Sequence, residues 1–579
     1  MTTASPTPGE PAALNALVAL AQREHRAGRL AEAAEACRKI LAIRPDIAEA
    51  HNELGIILAK QDRLDEARPR FEQALALKPG YAEAHNNLGN VLLRQGKLDE
   101  AAAHYEQALA LSPNYPEAQN NLGNVLWSQG KLDEAAARFK QALALSPNYA
   151  EAHNNLANVL LRQGKLDEAV ARSEQAVALN PDYAEAHNNL GIALWRQGKL
   201  DEAAAHHERA LALRPRLVEA YNNLGNVLKG YGKLVEAAAR YRQALAIRPD
   251  FTHAQLGLAT CYLVEGDYER GWPAFESRLR IPGFVPQHPL PRWTGEPLAG
   301  RSVLLLGEQG LGDTIQFVRY ARALKKLGAR VVLACQAGLG RLLASYPDAD
   351  ELFLLGSDGQ LPHCDYCLPL LSAPLAFRTD AATIPVEVPY LSADPELTAK
   401  WRAELAGVDG LRIGIVWQGS RGFDLDRQRS IPLAQFAPLA SLPGVRLVSL
   451  QKGFGSEQVA TVDFRVLDFS ARLDEVAGPF MDTAALIRNL DLVIAPDTAI
   501  AHLAGALGVP VWLALSCTSD WRWLQGRDDS PWYPTMRIFR QTTFDQWPDV
   551  FERMANAVRA RRLEMNSADS AAAGLVAEG

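Results

Sequence analysis

The first half of this sequence repeats itself every 34 residues. Prolines recur at this spacing, and they are Pro45, Pro79, Pro113, Pro147, Pro181, Pro215 and Pro249. A constant period of this length is typical of a solenoid, in which each unit buries apolar surface only against its neighbours. Because such arrays present one long surface, we expect this half of the chain to hold a partner.

Each repeat unit is predicted to form two helices. In one unit, Leu88, Gly89 and Leu92 make an apolar stripe at helical spacing on the first helix. Gly96 is placed to end that helix, because glycine readily adopts the left-handed conformation found there. Asp99 begins the second helix, where a carboxylate favours the positive end of the helix dipole.

This pattern resembles the tetratricopeptide repeat. We expect an α-solenoid of about eight such units over residues 14–285, in which the first and last units depart from the pattern. Cys37 and Ser173 replace the aromatic residue of the second helix in two units. Residues 1–13 are expected to be disordered.

Asparagines form a polar stripe along the first helices of five consecutive repeats, at the same position in each. They are Asn87, Asn121, Asn155, Asn189 and Asn223. A carboxamide both donates and accepts hydrogen bonds, so it can pair with the main chain of an extended peptide. The stripe resembles the asparagine ladder of O-linked N-acetylglucosamine transferases, which implies a polypeptide partner. The alternative is that asparagine is only a tolerated polar residue on an exposed helix face.

The second half of the chain changes to alternating strands and helices after a proline-rich linker at residues 286–300. Such alternation predicts parallel sheets covered by helices. Two blocks of this kind predict two Rossmann-like lobes, at 301–405 and 406–563, with a ligand cleft at the carboxyl ends of their strands. The remaining tail, 564–579, is expected to be disordered.

One candidate site lies where a predicted strand ends and the helix of residues 499–507 begins. Asp497 and Thr498 precede this helix, and His502 lies four residues after Thr498. Free amides and a hydroxyl at a helix N-terminus favour phosphate. A capped helix with a core histidine explains the same residues equally well.

The segment PDTAIAHLAGALGVPVW resembles a signature of the ADP-heptose:lipopolysaccharide heptosyltransferases, glycosyltransferase family 9. The resemblance implies a GT-B fold of two Rossmann-like lobes, the nucleotide sugar binding to the second. It also implies that Asp497, Thr498 and His502 bind the diphosphate of the donor. Ala499 stands where the family usually has glycine.

The segment GEQGLGDTIQFVRYARAL matches the Gly-Asp motif in the first lobe of the same family. Gly310 and Gly312 allow the backbone to approach the cleft, and Asp313 follows them at the start of a helix. An ionised carboxylate there suits a general base that deprotonates an acceptor hydroxyl. The resemblance implies this catalytic role for Asp313, whereas an ordinary helix cap is the alternative.

A third segment, VWQGSRGFDLDRQRSIPL, supplies the remaining donor-site residues. The related enzymes have a hydroxyl-rich turn here, followed by a lysine that contacts phosphate. Ser420 and Arg429 are the equivalents in this chain. The arginine keeps the charge of the lysine but changes its geometry.

Two aromatic residues, Trp521 and Trp523, have two possible roles. They could stack against the base of a nucleotide, although we favour a packing corner between the helices and strands around them. No metal site is expected, because the only Cys-x-x-Cys pair, Cys364 and Cys367, has no second pair to complete four ligands.

Composition narrows the classes of protein that fit. A net charge of −7 does not favour a nucleic-acid binder. No signal peptide or run of 18 apolar residues is evident, and six cysteines in 579 residues do not make a disulfide framework. These features predict a cytoplasmic protein without a membrane span.

Together with these features, the resemblance to glycosyltransferase family 9 implies a metal-independent glycosyltransferase with no cofactor beyond its nucleotide-sugar co-substrate. It would transfer the sugar to a hydroxyl group of a polypeptide held by the repeats. Two alternatives remain: an enzyme that glycosylates a glycan or lipopolysaccharide and docks through its repeats, and a non-catalytic protein-binding scaffold.

Overall fold

Paired helices occupy the first half of the chain. The computed structural model describes residues 10–286, 288–308, 310–356, 361–420, 426–517, 520–544 and 546–561. Sixteen α-helices in this part of the chain form eight pairs, so the predicted α-solenoid is confirmed. The helices are α1 (Glu10–Arg26), α2 (Leu30–Ile43), α3 (Ala48–Lys60), α4 (Leu64–Leu77), α5 (Ala82–Arg94), α6 (Leu98–Leu111), α7 (Pro116–Ser128), α8 (Leu132–Leu145), α9 (Ala150–Arg162), α10 (Leu166–Leu179), α11 (Ala184–Arg196), α12 (Leu200–Leu213), α13 (Val218–Gly230), α14 (Leu234–Ile247), α15 (Thr252–Val264) and α16 (Tyr268–Phe275).

Helix α1 begins at Glu10, so residues 10–13, which we expected to be disordered, are helical. Residues 1–9 and the expected disordered tail at 564–579 lie outside the described residues.

The chain divides into two compact units. One unit is formed by residues 1–197 and 209–215, and the other by residues 198–208 and 216–579. Helices α13–α16 therefore belong to the same unit as the second half of the chain.

An aromatic ring packs against a glycine within several repeats. A methyl group on Gly123 would lie 2.6 Å from the Phe139 ring, closer than atoms can approach. The same holds, at 2.7 Å, for Gly89 and the Tyr105 ring. Where Ala157 replaces the glycine, the second helix carries Ser173 instead of a ring. A glycine on the first helix is thus paired with a large ring on the second, and the larger alanine with a small side chain. The volume between the two helices stays nearly constant, as close-packed cores require.

The first sheet of the second half has four parallel strands in the order β3-β2-β1-β4. Ser302 of β1 lies opposite Arg330 of β2. Apolar residues in the central strands β1 and β2 are buried on both faces, which explains their continuous apolar sequences. The strands are β1 (Ser302–Leu306), β2 (Arg330–Gln336), β3 (Glu351–Leu355) and β4 (Tyr366–Pro369).

The second sheet has six parallel strands in the order β10-β9-β8-β5-β6-β7. Two parallel sheets agree with the predicted α/β class, and the GT-B arrangement stays a prediction. The strands are β5 (Leu411–Ile415), β6 (Val445–Ser449), β7 (Val466–Leu467), β8 (Leu492–Ala495), β9 (Val511–Leu515) and β10 (Met536–Arg540).

Short helices connect the strands of both sheets. They are α17 (Leu311–Phe317), α18 (Tyr320–Lys326), α19 (Gly340–Leu343), α20 (Ala373–Ala376), α21 (Pro395–Glu404), α22 (Asp426–Arg429), α23 (Ala437–Ala440), α24 (Met481–Ile487) and α25 (Ala499–Ala506). A further helix covers 548–561. None of the described helices is long and apolar enough to cross a membrane.

Candidate active site

The candidate site residues follow the carboxyl ends of four strands, namely β1, β5, β8 and β9. Parallel strands place these ends at one edge of their sheet, where α/β proteins bind ligands. Asp313 follows β1, Arg429 follows β5, and His502 follows β8. A fourth residue, Arg522, follows β9 and was not among the residues predicted from the sequence.

Asp313 is the third residue of α17, and Gly310 is the residue that caps this helix. Asp313 therefore lies in the first turn and is not the helix cap. Its Oδ1 accepts a hydrogen bond from Nη2 of Arg522 at 2.5 Å, and its Oδ2 lies against Gly310, where a side chain at position 310 would clash. The Asp313 side chain remains 27% exposed, so the carboxylate can still meet a ligand.

Arg522 is held in place on several sides. Its Nε donates to Oε1 of Gln316 at 2.7 Å, and its Nη1 donates to Oδ1 of Asp520 at 2.7 Å. The guanidinium also stacks on the Trp521 ring, 4.2 Å from its centroid. Because its side chain is only 9% exposed, Arg522 forms a fixed positive charge beside Asp313.

Burial dominates the electrostatics of Asp313. It raises the pKa of the carboxyl above its ordinary value, and electrostatic interactions with Arg522 and His502 oppose this rise without cancelling it. A higher pKa makes the carboxylate a stronger proton acceptor. This environment suits a general base.

Thr498 lies at the capping position of α25, as predicted, but its side chain does not cap the helix. Its Oγ1 is buried and has no hydrogen-bond partner within the described residues. A buried hydroxyl without a partner costs free energy, so the site favours a ligand that can bond to it.

His502 is buried, with 4% of its surface exposed, and is held on three sides. Its Nδ1 lies 3.0 Å from the hydroxyl of Tyr533, and its Nε2 lies 3.7 Å from Oδ1 of Asp497. Its ring stacks on Trp523, with 5.4 Å between the centroids. This packing is that of a core histidine, and donor binding by His502 stays a prediction.

Asp497 has a carboxyl group with a low pKa. Burial alone would raise this pKa, but His502, Trp523 and Arg522 together outweigh burial and lower it to about 2. Asp497 consequently stays ionised at any physiological pH. It supplies a fixed negative charge that holds His502.

Arg429 reaches the same strand end from the loop after β5. Its Nη1 donates to the backbone carbonyl of Asp497 at 2.9 Å, and its Nε donates to Asp426 at 2.9 Å. A methyl group on Gly419 would lie 2.7 Å from Nη2 of Arg429, so glycine is needed there for the guanidinium to fit. Ser420, the other predicted donor residue of this loop, is exposed.

The helices α17 and α25 are in contact across the two sheets. A methyl group on Gly312 would lie 2.9 Å from Cδ2 of His502 and 3.6 Å from Cα of Ala499. Gly312 thus permits the close approach of the two helices. On the α25 side the contact includes Ala499, which stands where the related family usually has glycine. The structure therefore brings the first turn of α17, which carries Asp313, to the N-terminal end of α25, and Arg429 bonds to Asp497 just before the same helix.

The two tryptophans beside Arg522 are packing residues. Trp521 meets Trp272 edge to face, with 5.2 Å between centroids, and Trp523 is completely buried against His502. They support the expectation of a packing corner. Within the described residues, no group of three or more His, Cys, Asp or Glu side chains is arranged to hold a metal ion.

The asparagine stripe makes hydrogen bonds between neighbouring repeats. Four of the predicted residues donate through Nδ2 to an asparagine 35 positions earlier in the chain. The pairs are Asn87 to Asn52, Asn121 to Asn86, Asn155 to Asn120 and Asn189 to Asn154, at 2.6–3.1 Å. Asn223 accepts from Nδ2 of Asn222 at 3.3 Å. The stripe therefore has a structural role, and peptide binding by its remaining polar atoms stays a prediction.

Comparisons with protein-family models identify repeats in the first half. A model described as TPR repeat matches residues 57–96, 89–130 and 123–164, and one described as tetratricopeptide repeat matches 148–216 and 182–250. A second tetratricopeptide repeat model matches 219–283. Tetratricopeptide repeats are therefore present, and they make this part of the chain a protein-binding module.

Similar proteins cover only part of the chain. Protein FlbA of Caulobacter vibrioides is 29% identical over 337 residues, which are 53% of this chain and 54% of that protein. The chain thus spans about half the length of the curated relative that it matches. Among solved structures, TTC0263, a thermophilic TPR protein of Thermus thermophilus, is 28% identical, with a TM-score of 0.28 over 31% of this chain and 99% of that one. YrrB, a TPR protein with an unusual peptide-binding site, is 24% identical, with a TM-score of 0.28 over 32% and 96%.

Proposed function

We propose that this protein is a glycosyltransferase that moves a sugar from a nucleotide-sugar donor to a hydroxyl group of a polypeptide. One observation carries the proposal: Asp313, a carboxylate with a raised pKa, lies in the helix that contacts the start of α25. A proton acceptor and a site suited to phosphate therefore adjoin each other. Glycosyl transfer from a diphosphate donor needs both.

The donor would bind with its diphosphate at the start of α25. The N-terminal end of this helix favours an anion, and the buried Thr498 hydroxyl can donate a hydrogen bond to a phosphate oxygen. Arg429 adds a positive charge beside the backbone carbonyl of Asp497. Each of these groups would offset negative charge that grows on the departing diphosphate.

Asp313 would act as the general base. Its carboxylate accepts the proton of the acceptor hydroxyl as that oxygen bonds to the anomeric carbon of the sugar. The bond between this carbon and the diphosphate breaks, and its electron pair leaves with the diphosphate. Arg522 would keep the carboxylate aimed at the acceptor.

The repeats support a polypeptide as the acceptor. They are a protein-binding module, and part of this array, α13–α16, belongs to the same unit as the two sheets. A repeat array on the same chain as a transfer site would raise the local concentration of the bound polypeptide for the catalytic carboxylate. This argument favours a polypeptide over a lipid-linked glycan.

The test is transfer of radiolabelled sugar from UDP-, GDP-, ADP- and CMP-linked donors to separated protein, lipid and glycan fractions. We expect label in the protein fraction with at least one donor. Asp313→Asn should abolish transfer while donor affinity stays within about twofold, because the carboxylate acts only on the acceptor proton. Asp348→Asn is the matched control, since Asp348 also pairs with an arginine, Arg322, at 3.0 Å.

Three outcomes would contradict the proposal. Label that reaches only lipid or glycan would exclude a polypeptide acceptor. Full transfer by Asp313→Asn would exclude the catalytic role of this residue. Failure of all four donors to bind would favour the protein-binding scaffold.

A further inference from the structure

A completely buried ion pair joins the end of the last repeat to the loop that precedes Asp313. Arg278 lies in the 3-10 helix Glu276–Arg280, directly after α16. Its Nε donates to Oε2 of Glu308 and its Nη2 donates to Oε1, both at 2.9 Å. Neither side chain has any exposed surface. This bidentate, two-pronged geometry fixes the orientation of the Arg278 guanidinium and the Glu308 carboxylate.

The other polar atoms of this pair also have partners. Nη1 of Arg278 donates to Oε1 of Glu276 at 2.7 Å, and Nη2 donates to Oγ of Ser372 at 2.8 Å. Oε1 of Glu308 also accepts from the backbone amide of Leu371 at 2.8 Å. A buried ion pair of this kind adds little net stability compared with apolar residues, so its main contribution is to fix the geometry of the two side chains.

Glu308 is held through its backbone as well as its side chain. Its carbonyl accepts a hydrogen bond from Nε2 of Gln336. The Oε1 of the same glutamine accepts from Oγ1 of Thr314 at 2.9 Å, and Thr314 is the residue after Asp313. Gln336 therefore links the loop to the first turn of α17, from which the Asp313 carboxylate projects.

We propose that Arg278 is a positioning residue for the transfer site: through Glu308 it holds the loop that orients Asp313. This inference rests on the proposed function for its catalytic consequence. Arg278 does not contact Asp313 and acts only through the loop. The last repeat would then be part of the catalytic apparatus as well as part of the array that binds the partner.

The first measurement needs no ligand. Amide hydrogen exchange of the full chain is compared between the wild type and Arg278→Lys, which keeps the charge but loses the two-pronged geometry. We expect faster exchange in residues 307–317 and unchanged exchange in α5–α9 and in the strands of the second sheet. Arg280→Met is the control, because Arg280 is exposed and hydrogen-bonds Gln255 outside this loop.

The second measurement is steady-state transfer with the donor that the wild type uses. We expect Arg278→Lys to lower kcat by about 10- to 100-fold while KM for the donor changes less than about twofold, because a misplaced base slows chemistry without weakening donor binding. The double variant Arg278→Met with Glu308→Leu replaces the ion pair by apolar side chains. We expect it to regain thermal stability relative to Arg278→Met alone, without regaining kcat.

The results separate this inference from the proposed function. If exchange in 307–317 is unchanged in Arg278→Lys, or if the double variant regains both stability and kcat, Arg278 has no positioning role. If exchange increases as expected but the wild type transfers sugar from no donor, the loop is positioned by Arg278 and the glycosyltransferase proposal fails.

Discussion

Arg522 donates a hydrogen bond to the Asp313 carboxylate at 2.5 Å, although the two residues are 209 positions apart in the sequence. Asp313 follows β1 of the four-stranded sheet, and Arg522 follows β9 of the six-stranded sheet. This ion pair therefore connects the two sheets at the edges where their strands end. It also places the fixed positive charge of Arg522 next to Asp313, the candidate general base.

Replacing Arg522 by glutamine should destabilise the protein. The substitution leaves the partly exposed carboxylates of Asp313 and Asp520 without their shared positive partner, and loss of a partner at such groups costs about 1–3 kcal/mol. Urea unfolding measures this cost. Arg527→Gln is the control, because Arg527 pairs with the exposed Asp529 and should cost less than about 1 kcal/mol.

The same variant should change the pH dependence of transfer. Arg522 opposes the rise in the pKa of Asp313 that burial causes, so its removal should raise this pKa further. A general base must be ionised, and the acidic limb of the rate profile should therefore move to higher pH. A limb that stays in place would show that Asp313 is not the titrating base.

Gly312→Ala should disturb the contact between α17 and α25. The new methyl group would lie 2.9 Å from Cδ2 of His502, and the histidine cannot move aside because it stacks on the buried Trp523. We expect a loss of about 1–3 kcal/mol in unfolding free energy, together with slower transfer. Gly338→Ala is the control, because nothing lies within 4 Å of its new methyl group; equal effects of both substitutions would contradict the close contact.

Asp497 should contribute stability that depends on pH. Its folded pKa of about 2 lies below the ordinary value of 3.8, so the unfolded chain takes up a proton first as the pH falls. The contribution, about 2 kcal/mol, is present above pH 3.8 and is lost as the pH falls towards 2. Unfolding free energies of wild type and Asp497→Asn should therefore converge over this range, and a constant difference would refute the low pKa.

Asn155→Ala should weaken the repeats themselves. It removes the donor to Oδ1 of Asn120, a completely buried residue, and an unsatisfied buried polar atom costs about 1–3 kcal/mol. Asn158→Ala, three residues later on the same helix, leaves the bond between Asn155 and Asn120 in place and is the matched control. Urea unfolding of both variants tests this difference. Loss of partner binding by Asn155→Ala without any loss of stability would instead favour the peptide-binding interpretation.

The repeats could be predicted in detail because their structure is local and periodic. Gly123 and Phe139 are only 16 positions apart, and the same spacing separates the smaller pair Ala157 and Ser173. The residues that pack against each other can therefore be identified from the sequence of a single unit. The hydrogen bonds of the asparagines were not predicted, because Asn155 reaches a buried residue of the preceding unit and the sequence does not reveal which way an amide points.

The sequence predicted the candidate site as separate segments, each at the end of one strand. Asp313, Thr498 and His502 each lie next to a recognisable strand and helix, and the structure brings these elements together. Arg522 lies in the segment DWRWLQGRDD, for which the sequence predicted a role only for the tryptophans. An arginine among aromatic residues after a buried strand was the available signal.

The sequence by itself determined the period of 34, the paired helices and the alternation of strands with helices, because these depend on residues close together in the chain. Only the tertiary structure decided which charges meet. The pairs Arg522 with Asp313 and Arg278 with Glu308 join separate elements, and partners of this kind follow from how the elements pack. Burial in the packed structure then raises the pKa of the Asp313 carboxyl, an effect that depends on residues far from it in the chain.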